Sequence, residues 1–295
     1  MIPTVLAVDI GGSKLAAGAV ASDGTLVHRA SVATPRTDDR DELWRALADL
    51  VEGVTATATE AGLLFSAVGV GCGGPMARGG EHVSPLNIAA WREFPLRAAL
   101  AEHTHLPAFV DNDAKALALG EGWVGAARGC DNYIAMVVST GVGGGIVLDG
   151  RLLDGADGNA GHIGHVIVVP DGRECACGAR GCLEAEASGT AIAAITGAPA
   201  SAAPPEVVER TGTLVGRAVA SVANLLDLDL AVVAGSVALG FGEPFFSAAQ
   251  RELDASCRLD FSRGMRIAPA GLGDAGPLVG AARVAYLALE RDVRT

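Results

Sequence analysis

Short apolar runs alternate with glycine-rich turns along this chain, and the pattern occurs twice. VLAVDIGGSKLAAGAV, Val5 to Val20, reads as two apolar strands joined by a glycine-bearing turn. GTLVHRASVAT, Gly24 to Thr34, reads as a third strand. A helix is predicted over residues 41–60, where Leu43, Ala46, Leu47, Leu50, Val51 and Val54 recur at helical spacing. AVGVGCGGP, Ala67 to Pro75, is a strand entering a glycine loop. PAFVDND, Pro107 to Asp113, is another strand, and AKALALGEGW, Ala114 to Trp123, starts a helix. The cycle then restarts. NYIAMVVSTGVGGGIVL, Asn132 to Leu148, is again strand, glycine turn, strand, and GRLL, Gly150 to Leu153, begins a third. TGAPASAAPP, Thr196 to Pro205, is a low-complexity bridge between helices. LAVVAGS, Leu230 to Ser236, is a strand ending in small residues. GLGDAGPLVGAARVAYLAL, Gly271 to Leu289, is a glycine loop leading into a long apolar helix. Two halves that each open with a glycine-tipped hairpin predict a duplicated α/β unit with a cleft between the copies.

Composition narrows the partners. The chain has 295 residues, half of them apolar, enough for one large domain or two medium ones. A net charge of −12 disfavours nucleic acid and anionic membranes, while leaving room for a local basic site. The opening MIPTVLAVDIGG has no basic region and is interrupted by Asp9, so it reads as a buried strand rather than a signal peptide. No apolar run reaches membrane-spanning length without charge or glycine. A cytoplasmic protein with reduced thiols is expected.

The two turns, DIGGSK at Asp9 to Lys14 and STGVGGG at Ser139 to Gly145, sit at hairpin tips. Glycine lets backbone N–H groups approach an anion, so such a turn can cradle phosphate. Glycine also simply suits tight hairpins. The occurrence of matching turns in both halves favours the cradle. Neither has the G-x-x-x-x-G-K-[ST] form. GVGCGG, Gly69 to Gly74, formally matches a dinucleotide fingerprint, but Pro75 follows where a helix should continue, and no such site is expected.

Three of the six cysteines crowd into HVIVVPDGRECACGARGCLE, His165 to Glu184. His165, Cys175, Cys177 and Cys182 make a tetrahedral donor set, and four protein ligands point to a structural zinc ion. The alternative is a set of buried thiols. GHIGH, Gly161 to His165, places two histidines three apart, and spacing does not say whether His162 or His165 ligates. Cys72, Cys130 and Cys257 are isolated and read as small apolar residues. VDNDA, Val110 to Ala114, puts two carboxylates and an amide where a strand meets a helix, the edge where open α/β sheets bind ligands. Asp113 suits acid–base chemistry and helix capping equally well there, and Asp111 could simply be solvated.

These segments together resemble the ROK family of sugar kinases and sugar-responsive repressors. The resemblance runs through DIGGSK, GCGGP at Gly71 to Pro75, SPLN at Ser84 to Asn87 with Trp91, VDNDA, STGVGGG and GHIGH. It is most specific in CACGARGCLE, Cys175 to Glu184. It implies an α/β actin-like ATPase fold, a duplicated ribonuclease-H-like architecture with two lobes around a cleft. The implied small lobe is residues 1–112, with a C-terminal helix of about 281–295 packing back on it. The larger lobe is 113–280 and carries the zinc loop 165–184. By resemblance, Asp113 is the base that takes the proton of the sugar hydroxyl. Gly74, Asn87, Asn112, His162, His165 and Glu184 contact the sugar, His165 also binding zinc. Asp9, Gly11, Gly12, Lys14, Thr140, Gly141 and Gly143 lie near the phosphates and Mg²⁺, and Gly235 and Ser236 border the adenosine. The implied ligands are ATP, Mg²⁺, a hexose and structural Zn²⁺, and the implied assembly is a homodimer. Some relatives use polyphosphate.

His162 departs from the E-x-G-H of the family's glucokinases. The H-x-G-H form resembles bacterial N-acetylmannosamine kinases and some repressors. An N-acetylmannosamine or related amino-hexose 6-kinase is therefore expected, with glucokinase as the alternative. A sugar-sensing regulator is a further alternative, which the eight residues before Asp9 leave without room for the repressors' DNA-binding domain. A silent sugar-binding scaffold is disfavoured by Asp113 and the two phosphate turns.

Overall fold

The computed structural model describes residues 4–292. Residues 1–3 of the expected first strand and 293–295 of the expected last helix lie outside the described residues. The first sheet contains β1 (Thr4–Ile10), β2 (Lys14–Ala21), β3 (Leu26–Ala33), β4 (Phe65–Cys72) and β5 (Ala108–Asn112), in the order β3-β2-β1-β4-β5. Neighbours are antiparallel from β1 through β3 and parallel from β1 through β5. The second sheet contains β6 (Tyr133–Val138), β7 (Val142–Leu148), β8 (Arg151–Leu152), β9 (Leu230–Ala234) and β10 (Arg266–Pro269). Its order, β8-β7-β6-β9-β10, and its antiparallel and parallel pairings repeat the first. The duplicated α/β architecture expected from the pattern is therefore present, strand for strand.

The helices are α1 (Arg40–Glu60), α2 (Leu96–Thr104), α3 (Asp113–Val124), α4 (Leu183–Ala187), α5 (Gly189–Thr196), α6 (Pro205–Leu226), α7 (Ser236–Phe241), α8 (Glu243–Ser256) and α9 (Gly276–Asp292). None of the described helices is long and apolar enough to cross a membrane.

β1 shows why its run is apolar on both alternations. Leu6, Val8 and Ile10 pack with Leu43, Leu47 and Val51 of α1. Val5 and Ala7 face the other way, with Ala281, Ala282 and Ala285 of α9. Successive side chains point to opposite faces, and helices cover both. α1 starts where Asp39 Oδ1 accepts hydrogen bonds from the backbone N–H of Asp41, at 2.8 Å, and of Glu42, at 3.3 Å.

The chain divides into two compact units. Among the described residues, one comprises residues 4–124, Asp154–Ala160 and residues 272–292; the other is Gly125–Leu153 with Gly161–Gly271. This differs from a division after residues 112 and 280. The reason is α3, which lies so close to α9 that a Cβ on Gly280 would collide with the Ala116 carbonyl. α3 and all of α9 therefore stay with the first unit. In the second unit, α6 and α8 cover β6 and β9 with Leu214, Val215, Ala218, Phe245 and Leu253.

Candidate functional site

In the first unit the parallel strands β1, β4 and β5 end level with one another. Asp9 is in register with Gly71, and Gly71 with Asp111; Ile10 is likewise in register with Cys72, and Cys72 with Asn112. The carboxyl edge of the sheet thus gathers Asp9, the start of the GCGGP loop and the VDND stretch, at the place such sheets use for ligands.

Asp113 is the first residue of α3. Its neighbour Asn112 does the capping: Asn112 Oδ1 accepts from Ala114 N at 3.0 Å and lies 3.4 Å from Lys115 N. Asp113 Oδ1 accepts from Ala114 N at 2.8 Å, and the residue is exposed. The capping role that suited Asp113 in the sequence therefore falls to Asn112.

Asp9 and Asp113 sense each other. Burial, and then the Asp113 carboxylate, push the Asp9 carboxyl from 3.8 up to about 7, with Lys14 acting in the opposite direction. The same surroundings keep Cys72 a thiol: burial raises it first, and the charges of Asp113 and Asp9 add to the shift. Because the folded-state value of Asp9 lies above 3.8, the folded protein holds a proton that the unfolded chain releases. Stability contributed by the protonated group is therefore lost as pH rises from 3.8 through about 7. Asp9→Asn should remove that loss. Its unfolding midpoint without ligands is expected to exceed wild type most at about pH 8, the gap closing toward about pH 4. Thermal unfolding across that range measures it, and a gap independent of pH would contradict the assignment.

The β1–β2 turn packs on the SPLN segment. A Cβ on Gly12 would stand 2.7 Å from Asn87 Cβ, and Gly11 N donates to Lys14 O at 3.0 Å. Lys14 is exposed at the start of β2. Gly74 lies beside Asn112, whose Nδ2 would be 3.4 Å from a Cβ placed there.

Lys115 was not anticipated from the sequence. It is buried in the first turn of α3, with Nζ 3.0 Å from Asp111 Oδ1, 2.7 Å from Asp154 Oδ1 and 3.2 Å from Gly158 O. It ties the segment before GHIGH to the strand that carries Asn112. The signal was a lone cation in AKALALG, four residues after Asp111.

In the second unit β6 runs into the STG turn. Gly189 N donates to Ser139 O at 2.7 Å, Thr190 Oγ1 to Thr140 O at 2.9 Å, and Val142 N to Glu184 Oε2 at 2.8 Å. Ser139 Oγ and Ser236 Oγ are 2.9 Å apart, bringing the ends of β6 and β9 together, with Gly235 between β9 and α7. Gly143 is part of β7. GHIGH lies flat on β7. A Cβ on Gly161 would collide with the Gly144 carbonyl, and one on Gly164 with the Val142 carbonyl, so both positions require glycine. Between them stands His162, exposed, its ring centroid 6.0 Å from that of His165.

The donor atoms of His165, Cys175, Cys177 and Cys182 all lie within 4.8 Å of one another. His165 Nδ1 is 3.7 Å from Cys175 Sγ, and Cys177 Sγ is 3.7 Å from Cys182 Sγ. Two sulfurs about 2.3 Å from a central zinc are ~3.8 Å apart in a tetrahedron, and a sulfur–nitrogen edge is slightly shorter. The residues fit the ion. Burial and the neighbouring thiols of Cys177 and Cys175 push Cys182 up to about 12, so a cluster of thiolates here calls for a cation. Directly after Cys182, α4 presents two carboxylates. Glu184 reaches the STG turn, while buried Glu186 accepts from Arg173 N at 2.6 Å and pairs with Arg210 at 2.5 Å. Glu186 and Arg210, which hold the cysteine loop to α6, also went unread in the sequence.

Comparison with known proteins agrees with this arrangement. N-acetylmannosamine kinase of Escherichia fergusonii is 36% identical over 254 residues, covering 81% of this chain and 85% of that protein. A crystal structure of ROK hexokinase from Thermus thermophilus superposes with a TM-score of 0.81 at 34% identity, covering 98% of this chain and 99% of the other. A ROK family glucokinase from Streptomyces griseus, in complex with glucose and AMPPNP, gives a TM-score of 0.81 at 31% identity, covering 96% and 99%. The ROK family model matches residues 5–288, so the repeated sheets, the glycine turns and the cysteine loop are those of a chain that belongs to the ROK family.

Proposed function

We propose that the protein transfers the γ-phosphoryl group of ATP to the 6-hydroxyl of a hexose, with N-acetylmannosamine favoured over glucose. The observation that carries this reading is Asp113. It stands exposed at the carboxyl edge of parallel strands, close enough to Asp9 to raise that carboxyl, and its capping duty is taken by Asn112. Phosphoryl transfer asks a protein for positioning, charge neutralisation and an acceptor for the hydroxyl proton. Asp113 is the acceptor in this reading. Asn87, Asn112, His162, His165 and Glu184 hydrogen-bond the sugar, and Gly74 makes room beside Asn112. Gly11, Gly12, Lys14, Thr140, Gly141 and Gly143 would hold phosphates, Asp9 would hold Mg²⁺, whose charge would offset that of the transferred group, and Gly235 and Ser236 would border the adenosine. His165 Nδ1 and the three cysteine sulfurs would bind Zn²⁺, which stiffens their loop. A cytoplasmic homodimer is part of the same reading.

Sugar preference turns on His162. A carboxylate offers two acceptor oxygens, whereas a neutral imidazole offers one donor and one acceptor. A second reading, glucokinase, is favoured by the similarity to the Streptomyces griseus enzyme, whose structure contains glucose. ADP release with Mg·ATP against N-acetylmannosamine, mannose, glucosamine and glucose tests the reading. Sugar-dependent release, fastest with N-acetylmannosamine, is expected, and the absence of release with every hexose would overturn it. His162→Glu is expected to shift the ratio of kcat/KM toward glucose by roughly 5- to 150-fold, the equivalent of about 1–3 kcal/mol for one exchanged polar contact. An unchanged ratio at one fixed pH would show that His162 does not set specificity.

A further inference from the structure

The two carboxylate oxygens of Glu184 are placed differently. Oε2 accepts the backbone N–H of Val142 at 2.8 Å. Among the described residues, Oε1 takes no hydrogen bond. Val142 is the first residue of β7, opposite Val138 of β6, and it is buried. The contact requires the glycine that precedes Val142: a Cβ on Gly141 would stand 2.7 Å from Glu184 Oε2. Two further bonds hold the same turn from the same side. Gly189 N reaches Ser139 O, and Thr190 Oγ1 reaches Thr140 O, both from the first residues of α5. Ser139, Thr140 and Val142 are thus pinned by α4 and α5, the segment that directly follows Cys182.

We infer that Glu184 is a positioning residue for the nucleotide: by accepting the Val142 N–H it fixes the turn of Ser139 to Val142 in the conformation that receives the phosphates of ATP. This rests on the kinase reading above and extends it, because there Glu184 serves only the sugar. A buried N–H left without an acceptor is unfavourable, so without the carboxylate the turn would leave this conformation to find water. One side chain then serves both substrates, Oε1 on the sugar side and Oε2 on the turn.

Two substitutions separate these roles. Alanine removes both oxygens. Glutamine keeps one neutral acceptor of nearly the same reach for Val142 N and replaces the other oxygen with a donor. Binding of AMPPNP with Mg²⁺ is measured by calorimetry without sugar, and sugar binding without nucleotide, on wild type, Glu184→Ala and Glu184→Gln, with zinc content and unfolding midpoint recorded for each. Glu184→Ala is expected to weaken nucleotide binding by roughly three- to tenfold. Glu184→Gln is expected to bind nucleotide within about twofold of wild type while losing sugar affinity. Nucleotide binding unchanged in Glu184→Ala overturns the inference and leaves the kinase reading intact. Glutamine weakening the nucleotide as much as sugar overturns the acceptor role, and does so even if the alanine variant fails to fold. Failure of wild type itself to bind AMPPNP would instead remove the kinase reading on which the inference stands.

Discussion

Asp113→Asn is expected to lower kcat by about 10²–10⁴-fold while the sugar dissociation constant moves by no more than a few-fold. The amide is nearly the shape of the carboxyl. Its Oδ1 can keep the bond from Ala114 N, and Asn112 still caps α3, so the start of the helix survives the change. The lost property is the ability to take a proton. If Asp113 accepts the hydroxyl proton as phosphorus–oxygen bond formation proceeds, the variant binds the sugar and turns over slowly. A purely structural role would move binding and stability together with rate. The same substitution has a second readout. The negative charge of Asp113 is one of the groups that raise Asp9, so its removal should bring the Asp9 carboxyl down from about 7. Steady-state kinetics, sugar calorimetry and carboxyl titration on one preparation measure all three. A kcat near wild type in the folded variant would remove Asp113 from the chemistry.

Strong local signals made some parts of this site legible in the sequence. Glycines at hairpin tips, a cysteine loop of fixed spacing and apolar runs such as VLAVDI each report on neighbours a few residues away, and the duplicated sheet follows from their repetition. Asp113 and the three clustered cysteines could be singled out for the same reason, whereas the role of Asp9 came from the resemblance to the ROK family. The remainder depended on contacts between distant residues. α6 buries Val208, Thr211, Val215, Ala218 and Val219 at helical spacing, but Thr, Gly and Ala on its buried face dilute the apolar signal. Its small residues make sense only against α8, where a Cβ on Gly212 or Gly216 would strike the facing backbone. The division of the chain was hidden likewise, since nothing in ADGNA announces that residues 154–160 pack with the first unit. Capping by Asn112 rather than Asp113 is a matter of one residue, below the resolution of sequence pattern at a helix start. Glu186 is the case closest to legible. It follows Glu184 by two, and a second acidic residue in so short a helix reads as solvated until Arg210 and the Arg173 N–H are seen on it.

Cys182→Ser is expected to take bound zinc from one ion per chain to near none, and to lower sugar affinity by at least about tenfold. Metal affinity falls by 10- to 100-fold or so even when a ligand's supporting contacts are lost, and removal of a ligand goes further. Serine is shorter and its hydroxyl does not ionise near neutral pH, so it replaces neither the reach nor the charge of a thiolate. Between residues 173 and 181 the loop is held chiefly by its own backbone bonds, Cys175 N to Ala179 O and Gly181 N to Arg173 O, both at 2.8 Å, and Cys177 is exposed. Loss of the ion would leave His165 and the thiols of Cys175 and Cys177 with no common partner. Glu186 would still hold Arg173 N and Arg210, so the break should be confined to the side nearer the cysteines. Hydrogen exchange should therefore rise over residues 174–184 and little across the buried strands of the second sheet. Structural zinc contributes on the order of 10–16 kcal/mol in small zinc modules that fold only with metal. Here β6, β9 and α6 have their own apolar core, so the loss should appear as local opening rather than global unfolding. Elemental analysis, hydrogen exchange and sugar calorimetry decide it. One zinc per chain in Cys182→Ser, or none in wild type prepared without chelator, would exclude the four-residue site.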